Sequence, residues 1–230
     1  MKHLLDSLNN AQKIAVQEIE GPGIVLAGPG SGKTRVLTHR LAWLIADGVD
    51  PFRILALSFT NKAAKEMKER VIALIGEQFG RNVWMGTFHS VFAKILRIEG
   101  HLLGYNSNYT IYDPDDSKNA IKQILKEQMI SDEAYTPSNV LYRISSAKMN
   151  LIDPIEYNSD RTIQSEDLKS KHPLFGKIYS LYWNKLRSSN AMDFDDILFN
   201  MNILLRDFPE IRKAYQDKFK YILVDEYQDT

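Results

Sequence analysis

The segment Ala27-Gly28-Pro29-Gly30-Ser31-Gly32-Lys33-Thr34 has glycine at every second position and ends on a lysine and a hydroxyl. Glycines let a backbone curl until successive N–H groups point inward, an arrangement that binds phosphate oxygens. The helical pattern that opens at its end adds a partial positive charge. In such a loop Lys33 reaches the β- and γ-phosphates, and the Thr34 hydroxyl takes one position on Mg²⁺. The strict pattern, GxxxxGK[ST], has glycine where this chain has Ala27. Alanine is small enough to leave the loop possible. The alternative is a glycine-rich turn without a ligand, and the strand-like run before the loop and the helix after it argue against that.

Near the other end, Tyr221-Ile222-Leu223-Val224-Asp225-Glu226 is an apolar run closed by two acids. At the carboxyl edge of a parallel sheet, Asp225 would hold Mg²⁺ through water, while Glu226 would orient and deprotonate an attacking water. Two carboxylates beside a bound cation are far less costly than two left alone. By itself an acidic pair at a strand end is usually surface. Together with the loop it reads as the second half of a site for nucleoside triphosphate hydrolysis.

The elements that must position these groups follow from the apolar patterning. Residues 23–27, 54–59, 83–87 and 221–224 read as buried strands without clean alternation, as expected for a parallel sheet covered on both faces. Helical patterns at 34–46 and 62–75 lie between the first three. Strand and helix in turn, with short links, imply right-handed crossovers and an α/β core. After Tyr112 strand-like runs become scarce. Asp113-Pro114 and Thr136-Pro137 look like N-caps followed by proline at the first helical position, and Asp153-Pro154 and His172-Pro173 punctuate again. A mostly helical insertion is expected over 113–187, within a core of 1–112 and 188–230, with a possible short strand over 109–112.

Composition bounds the function classes. The 230 residues hold 29 basic and 29 acidic side chains, 44% apolar residues and no Cys. That excludes disulfides and thiolate metal sites, and it argues against a uniformly basic nucleic-acid binder while permitting a local cationic track. The start reaches Asp6 too soon for a signal peptide. No apolar stretch approaches the roughly 18 residues of a membrane span. A cytoplasmic protein with no membrane partner is expected.

With both motifs placed, the chain resembles the amino-terminal part of UvrD/Rep/PcrA-type superfamily 1 DNA helicases. Leu8-Asn9-x-x-Gln12-x-x-Ala15-Val16 resembles that family's glutamine motif, in which Gln12 would read the adenine edge with both amide groups. Arg35 matches the family arginine near the base. Ser58-Phe59-Thr60-Asn61-Lys62-Ala63-Ala64 resembles motif Ia, with Ser58 where Thr is commoner. Gly86-Thr87-Phe88-His89-Ser90 resembles the next DNA-contacting motif. Asp193-Phe194-Asp195-Asp196-Ile197 matches the segment that re-enters the first motor lobe. Asp225-Glu226-Tyr227-Gln228-Asp229-Thr230 resembles motif II, with Gln228 coupling nucleotide state to DNA contacts. Six motifs in the family order are not chance.

The resemblance implies a RecA-like P-loop NTPase lobe interrupted by a helical domain, with ATP and Mg²⁺ as cofactors. It implies 3′-to-5′ translocation on single-stranded DNA and at its junction with duplex, in replication or repair. Motifs of a second RecA-like lobe lie outside these residues, so the chain alone is expected to lack motor activity and to leave a sheet edge partly exposed. Phe59 would stack on a base, with Thr60, Asn61 and Lys62 on phosphates. Thr87, Phe88 and His89 either contact DNA or form a capped helix over a packed aromatic. Lys169, Lys171, Lys177, Lys185 and Arg187, interleaved with Tyr179, Tyr182 and Trp183, either line a DNA path or form a solvated face over an aromatic core. Other classes remain: a helicase–nuclease subunit, a P-loop kinase or unrelated NTPase, or a nucleotide- or DNA-binding module that does not hydrolyse. A kinase leaves Gln12 and Phe59 to Lys62 unexplained.

Overall fold

The computed structural model describes residues 2–131 and 133–229; Met1, Asp132 and Thr230, which closes the sixth motif, lie outside them. In chain order the main elements are α1 (Asn10–Gln17), α2 (Lys33–Ala46), β1 (Ile54–Ser58), α3 (Asn61–Ile75), α4 (Glu77–Gly80), β2 (Trp84–Thr87), α5 (Phe88–Glu99) and β3 (Thr110–Tyr112). There follow α6 (Pro114–Glu127), α7 (Pro137–Met149), α8 (Pro154–Ser159), α9 (Arg161–Lys169), α10 (Phe175–Ser188), β4 (Ala191–Asp193), α11 (Phe194–Asp207), α12 (Pro209–Lys218) and β5 (Tyr221–Val224). They divide into two compact units, residues 1–91 with 210–230, and residues 92–209. No described helix is long and apolar enough to cross a membrane.

The first unit is α/β. Its three strands are parallel in the order β2-β1-β5. The central strand β1 is buried along its whole length. Leu41 and Leu44 of α2 and Met67 and Val71 of α3 pack with Ile54, Ala56 and Leu223 to make the core. The helices begin where the sequence allows. Thr60 caps α3, its hydroxyl accepting from Ala63 N–H at 3.1 Å, and Gly32 enters α2 from the left-handed region at φ +90°. Asn9 and Gln12 form a capping box on α1.

One expected strand is missing. Residues 23–27 form no strand, and Ile24, Val25 and Leu26 are 75%, 46% and 91% exposed. An apolar run becomes a strand only by hydrogen-bonding to a neighbour, and none of the described strands pairs with this one. Nor is the sheet covered on both faces throughout, since Ile222 of β5 is 60% exposed.

The second unit is mostly helical and wider than the 113–187 stretch marked by the change in patterning. It reaches back into α5 and forward through α11 because β3 pairs in parallel with β4, Thr110↔Ala191 to Tyr112↔Asp193. The short strand expected over 109–112 is therefore present, whereas β4 had no sequence signal of its own. Asp113, Thr136 and Asp153 cap α6, α7 and α8, each followed by Pro at the start of the helix. His172-Pro173 plays no such part, since Leu174 is the N-cap residue of α10. Ile121, Ile124, Val140, Ile144, Ile178 and Tyr182 form the core.

At the heart of this unit Lys148 of α7 is buried between Asp193 and Asp196, with its Nζ 2.7 Å from a carboxylate oxygen of each. Burial alone would lower the lysine's pKa, but the two carboxylates outweigh it and raise it. Burial pushes Asp196 up to about 6, opposed by Lys148 and reinforced by Asp193. At Asp193 burial acts upward too, but Lys148 outweighs it and the pKa is lowered. One cation thus holds β4 and the start of α11 to α7. Lys148→Met would strand two buried carboxylates, and urea unfolding at pH 7 should show a loss of roughly 3–5 kcal/mol. The loss should shrink toward pH 5, where protonation removes one of the stranded charges.

Candidate nucleotide and DNA site

Register decides which side chains can meet. In the parallel sheet Leu57 lies beside Val224 and Ser58 beside Thr87. Asp225 N–H donates to the Leu57 carbonyl at 2.9 Å, extending the pairing one residue past β5. The residues that follow the three strands, Phe59 to Lys62, Phe88 to His89, and Asp225 to Glu226, therefore leave one carboxyl edge. That edge is where ligands bind in open α/β sheets.

The phosphate loop meets the same edge. Thr34, in the first turn of α2, donates from its hydroxyl to Asp225 Oδ2 at 3.5 Å. Gly30 and Gly32 both have positive φ, +74° and +90°, which a side chain would strain. Ser31 closes the turn, its N–H and Oγ donating to the Gly28 carbonyl at 3.3 and 2.6 Å. Lys33 folds its ammonium back over the loop to the Ala27 carbonyl at 3.5 Å. Pro29 lies in the turn ahead of Gly30, and Arg35 is exposed on α2. The two motifs, far apart in sequence, thus meet in space.

The electrostatics suit a cation. Asp225 is buried, and burial together with the Glu226 charge raises its carboxyl above the ordinary value, while Thr34 and Lys33 pull it down. Glu226 adopts a left-handed backbone at φ +51°, uncommon for a residue with a side chain, and Gln228 Nε2 donates to its carboxylate. Asp229 lies in the short turn after β5, and its side chain is outside the described set. Among the described residues no three His, Cys, Asp or Glu gather as a metal-binding group. Mg²⁺ does not require one. It takes one or two protein oxygens and completes its octahedron with phosphate and water, and the Thr34 hydroxyl beside the Asp225 carboxylate fits that pattern.

The remaining candidates divide. Phe59 is 60% exposed at the edge, with Asn61 and Lys62 exposed beside it. The Thr60 hydroxyl serves as the cap of α3. Thr87 is buried and caps α5, accepting from Ser90 N–H at 3.2 Å, while Phe88 and His89 are half-buried. Gln12 turns its amide to the protein itself, as its bonds to Asn9 and Ser31 show. Of the aromatic residues interleaved on α10, Tyr179 and Tyr182 are core and Trp183 packs partly buried against it, while the exposed Arg187 guanidinium donates to the Leu103 carbonyl. A cavity of about 400 Å³ in the helical unit had no sequence signal; Tyr142, Phe194 and Asp195 are among its lining residues.

The model of the UvrD/REP helicase N-terminal domain matches residues 8–230. The chain is 43% identical over 231 residues to a protein of Staphylococcus aureus described as ATP-dependent DNA helicase PcrA, covering 100% of this chain and 31% of that protein. A protein of the same description from Leuconostoc citreum is 40% identical over 230 residues, covering 99% of this chain and 30% of its own length. A third, from Staphylococcus epidermidis, is 43% identical over 231 residues. The chain spans under a third of the length of these relatives.

With its carboxyl raised by burial and by the Glu226 charge, Asp225 should cost the fold stability once ionised at neutral pH. A raised acid contributes stability below its unfolded value and loses it as pH rises through the folded one. Asp225→Asn should therefore raise the thermal midpoint at pH 7 and narrow the difference at pH 4, as differential scanning calorimetry would show.

Proposed function

The chain belongs to the UvrD/REP helicase family, and on that premise we propose that it is the ATP-binding portion of an ATP-dependent DNA helicase that translocates on single-stranded DNA. The observation that carries this reading is the 3.5 Å contact between Thr34 and Asp225, which joins a phosphate loop to a strand-end carboxylate pair. The loop N–H groups and Lys33 would bind the β- and γ-phosphates, the positive start of α2 adding to both. Thr34 and Asp225 would hold Mg²⁺, which when bound neutralises charge developing on the phosphates. Glu226, next along the chain from Asp225, would align a water for attack and accept its proton. Gln228, bonded to that carboxylate, is suited to pass a change at the γ-phosphate outward. Gln12 and Arg35 would lie on the base side.

For DNA, Phe59 offers an exposed ring and Lys62 an exposed charge at the same edge as the nucleotide loop, so a strand laid there would feel the state of the loop. Thr87 ends β2 at that edge, and Phe88 and His89 follow it. Movement along a strand needs a second lobe closing on the first. A charge-neutralising arginine from such a lobe is worth roughly 10³–10⁵ in rate. The short span of the chain relative to its relatives supports a parent that supplies it, and motor activity belongs to that parent. The direction of travel, 3′ to 5′, and action at duplex junctions rest on the family resemblance alone.

Two substitutions separate hydrolysis from mere binding. Lys33→Ala should weaken ATP by roughly 10- to 100-fold in calorimetric titration, since it removes a charge-assisted contact, and should leave adenosine unaffected. Glu226→Gln should keep ATP binding but cut DNA-stimulated phosphate release of the intact protein by roughly 10²–10⁴. Unchanged release would favour a module that does not hydrolyse. Phe59→Ala should weaken single-stranded DNA by roughly 5- to 100-fold, the worth of one stacked base, as read by fluorescence anisotropy, with the midpoint of unfolding unchanged.

A further inference from the structure

Gln12, assigned above to the base side, has its amide bonded into the protein on two sides. Its Oε1 accepts from Asn9 N–H at 3.1 Å, and its Nε2 donates to the Ser31 carbonyl at 2.9 Å. Asn9 returns the contact, its Oδ1 accepting from Gln12 N–H at 2.9 Å. The amide also lies directly against the loop backbone, since a Cβ built on Gly32 would fall 2.9 Å from Nε2.

The bond to Ser31 has a geometric consequence. In a planar trans peptide the carbonyl of one residue and the N–H of the next point in opposite directions. Holding the Ser31 carbonyl toward α1 therefore turns the Gly32 N–H the other way. Gly32 and Gly30 just upstream, both at positive φ, have no side chain to fix that peptide, and the bond from Val36 N–H at 3.0 Å holds the Gly32 carbonyl, on the far side of Gly32. A flip would replace a donor by a carbonyl oxygen on the side where an anion must sit. Ser31 is fixed toward Gly28 through its own N–H and hydroxyl, but those bonds leave its carbonyl free to turn.

We propose that Gln12 is a positioning residue for the phosphate loop, anchoring the Ser31–Gly32 peptide so that the Gly32 N–H faces the triphosphate whatever base is attached. The proposal rests on the reading of the loop as a triphosphate cradle. It is compatible with base contact, because a primary amide has a second lone pair on oxygen and a second N–H on nitrogen.

The test uses a ligand with no base. Inorganic tripolyphosphate should bind the Gln12→Ala chain roughly fivefold more weakly than the unsubstituted chain, the worth of one neutral hydrogen bond, and ATP should lose at least as much. Gln12→Glu keeps an acceptor for Asn9 N–H but has no N–H for Ser31, so it should not restore the loss. In the unliganded chain, ¹⁵N relaxation should show the Gly32 order parameter falling from about 0.85 toward 0.6 in Gln12→Ala, while residues within α1 and α2 keep theirs. Tripolyphosphate affinity and Gly32 order both unchanged, with ATP alone weakened, would overturn the proposal and leave Gln12 a reader of the base. If the unsubstituted chain fails to bind tripolyphosphate, the reading of the loop fails instead, and the relaxation measurement still decides whether Gln12 holds the peptide.

Discussion

Parallel pairing of β5 beside β1 is the constraint on which the site depends. The register Leu57↔Val224 delivers Asp225 to the carboxyl edge, where α2 starts and presents Thr34. A shift of one residue in that pairing would turn the side chains of β5 to the opposite faces and carry the acids away from the loop. Leu223 resists the shift, because it is the β5 residue buried with Ile54, Ala56 and Met67. Packing of one leucine and placement of the next acids are therefore one arrangement.

On the proposed reading, the same edge sets the candidate DNA side chains on the strand next to the one that carries the acids. Phe59 and Lys62 follow β1, the strand that pairs with β5. Asp225 is itself joined to β1, its N–H donating to the Leu57 carbonyl at 2.9 Å. Just past β5, Glu226 is left-handed and its carboxylate accepts from Gln228 Nε2. The helical unit is built differently. Its polar centre is one buried lysine between two aspartates, and its strands are only three residues long.

Much of this was legible in the residues. The loop, the acids and the helices around them each carry a local signal: alternating glycines, an apolar run ended by charge, a 3.6-residue period with Thr60 or Asp113 in front. What the sequence did not reveal is non-local. Residues 23–27 are as apolar as any strand, but pairing requires a neighbour, and no composition reports whether one is present. β4 is too short for any periodicity and exists because β3 lies beside it. The basic and aromatic pattern along α10 was ambiguous by nature, since helical spacing brings Tyr179 and Tyr182 inward whether or not a ligand runs outside. At Gln12 the residue type showed a capacity to bond in two directions, and only coordinates show that α1 and Ser31 use it.

The unpaired segment before the loop has a thermodynamic corollary. Downstream, the glycine-rich turn runs directly into the fourteen residues of α2; upstream, beyond the bonds within the loop, Ile24 to Leu26 pair with none of the described strands. On the proposed reading, any freedom these residues keep in the free chain is lost when a triphosphate is bound, at on the order of 1–2 kcal/mol for each residue fixed. Affinity would then be governed as much by the entropy of those few aliphatic residues as by the charges that touch the ligand.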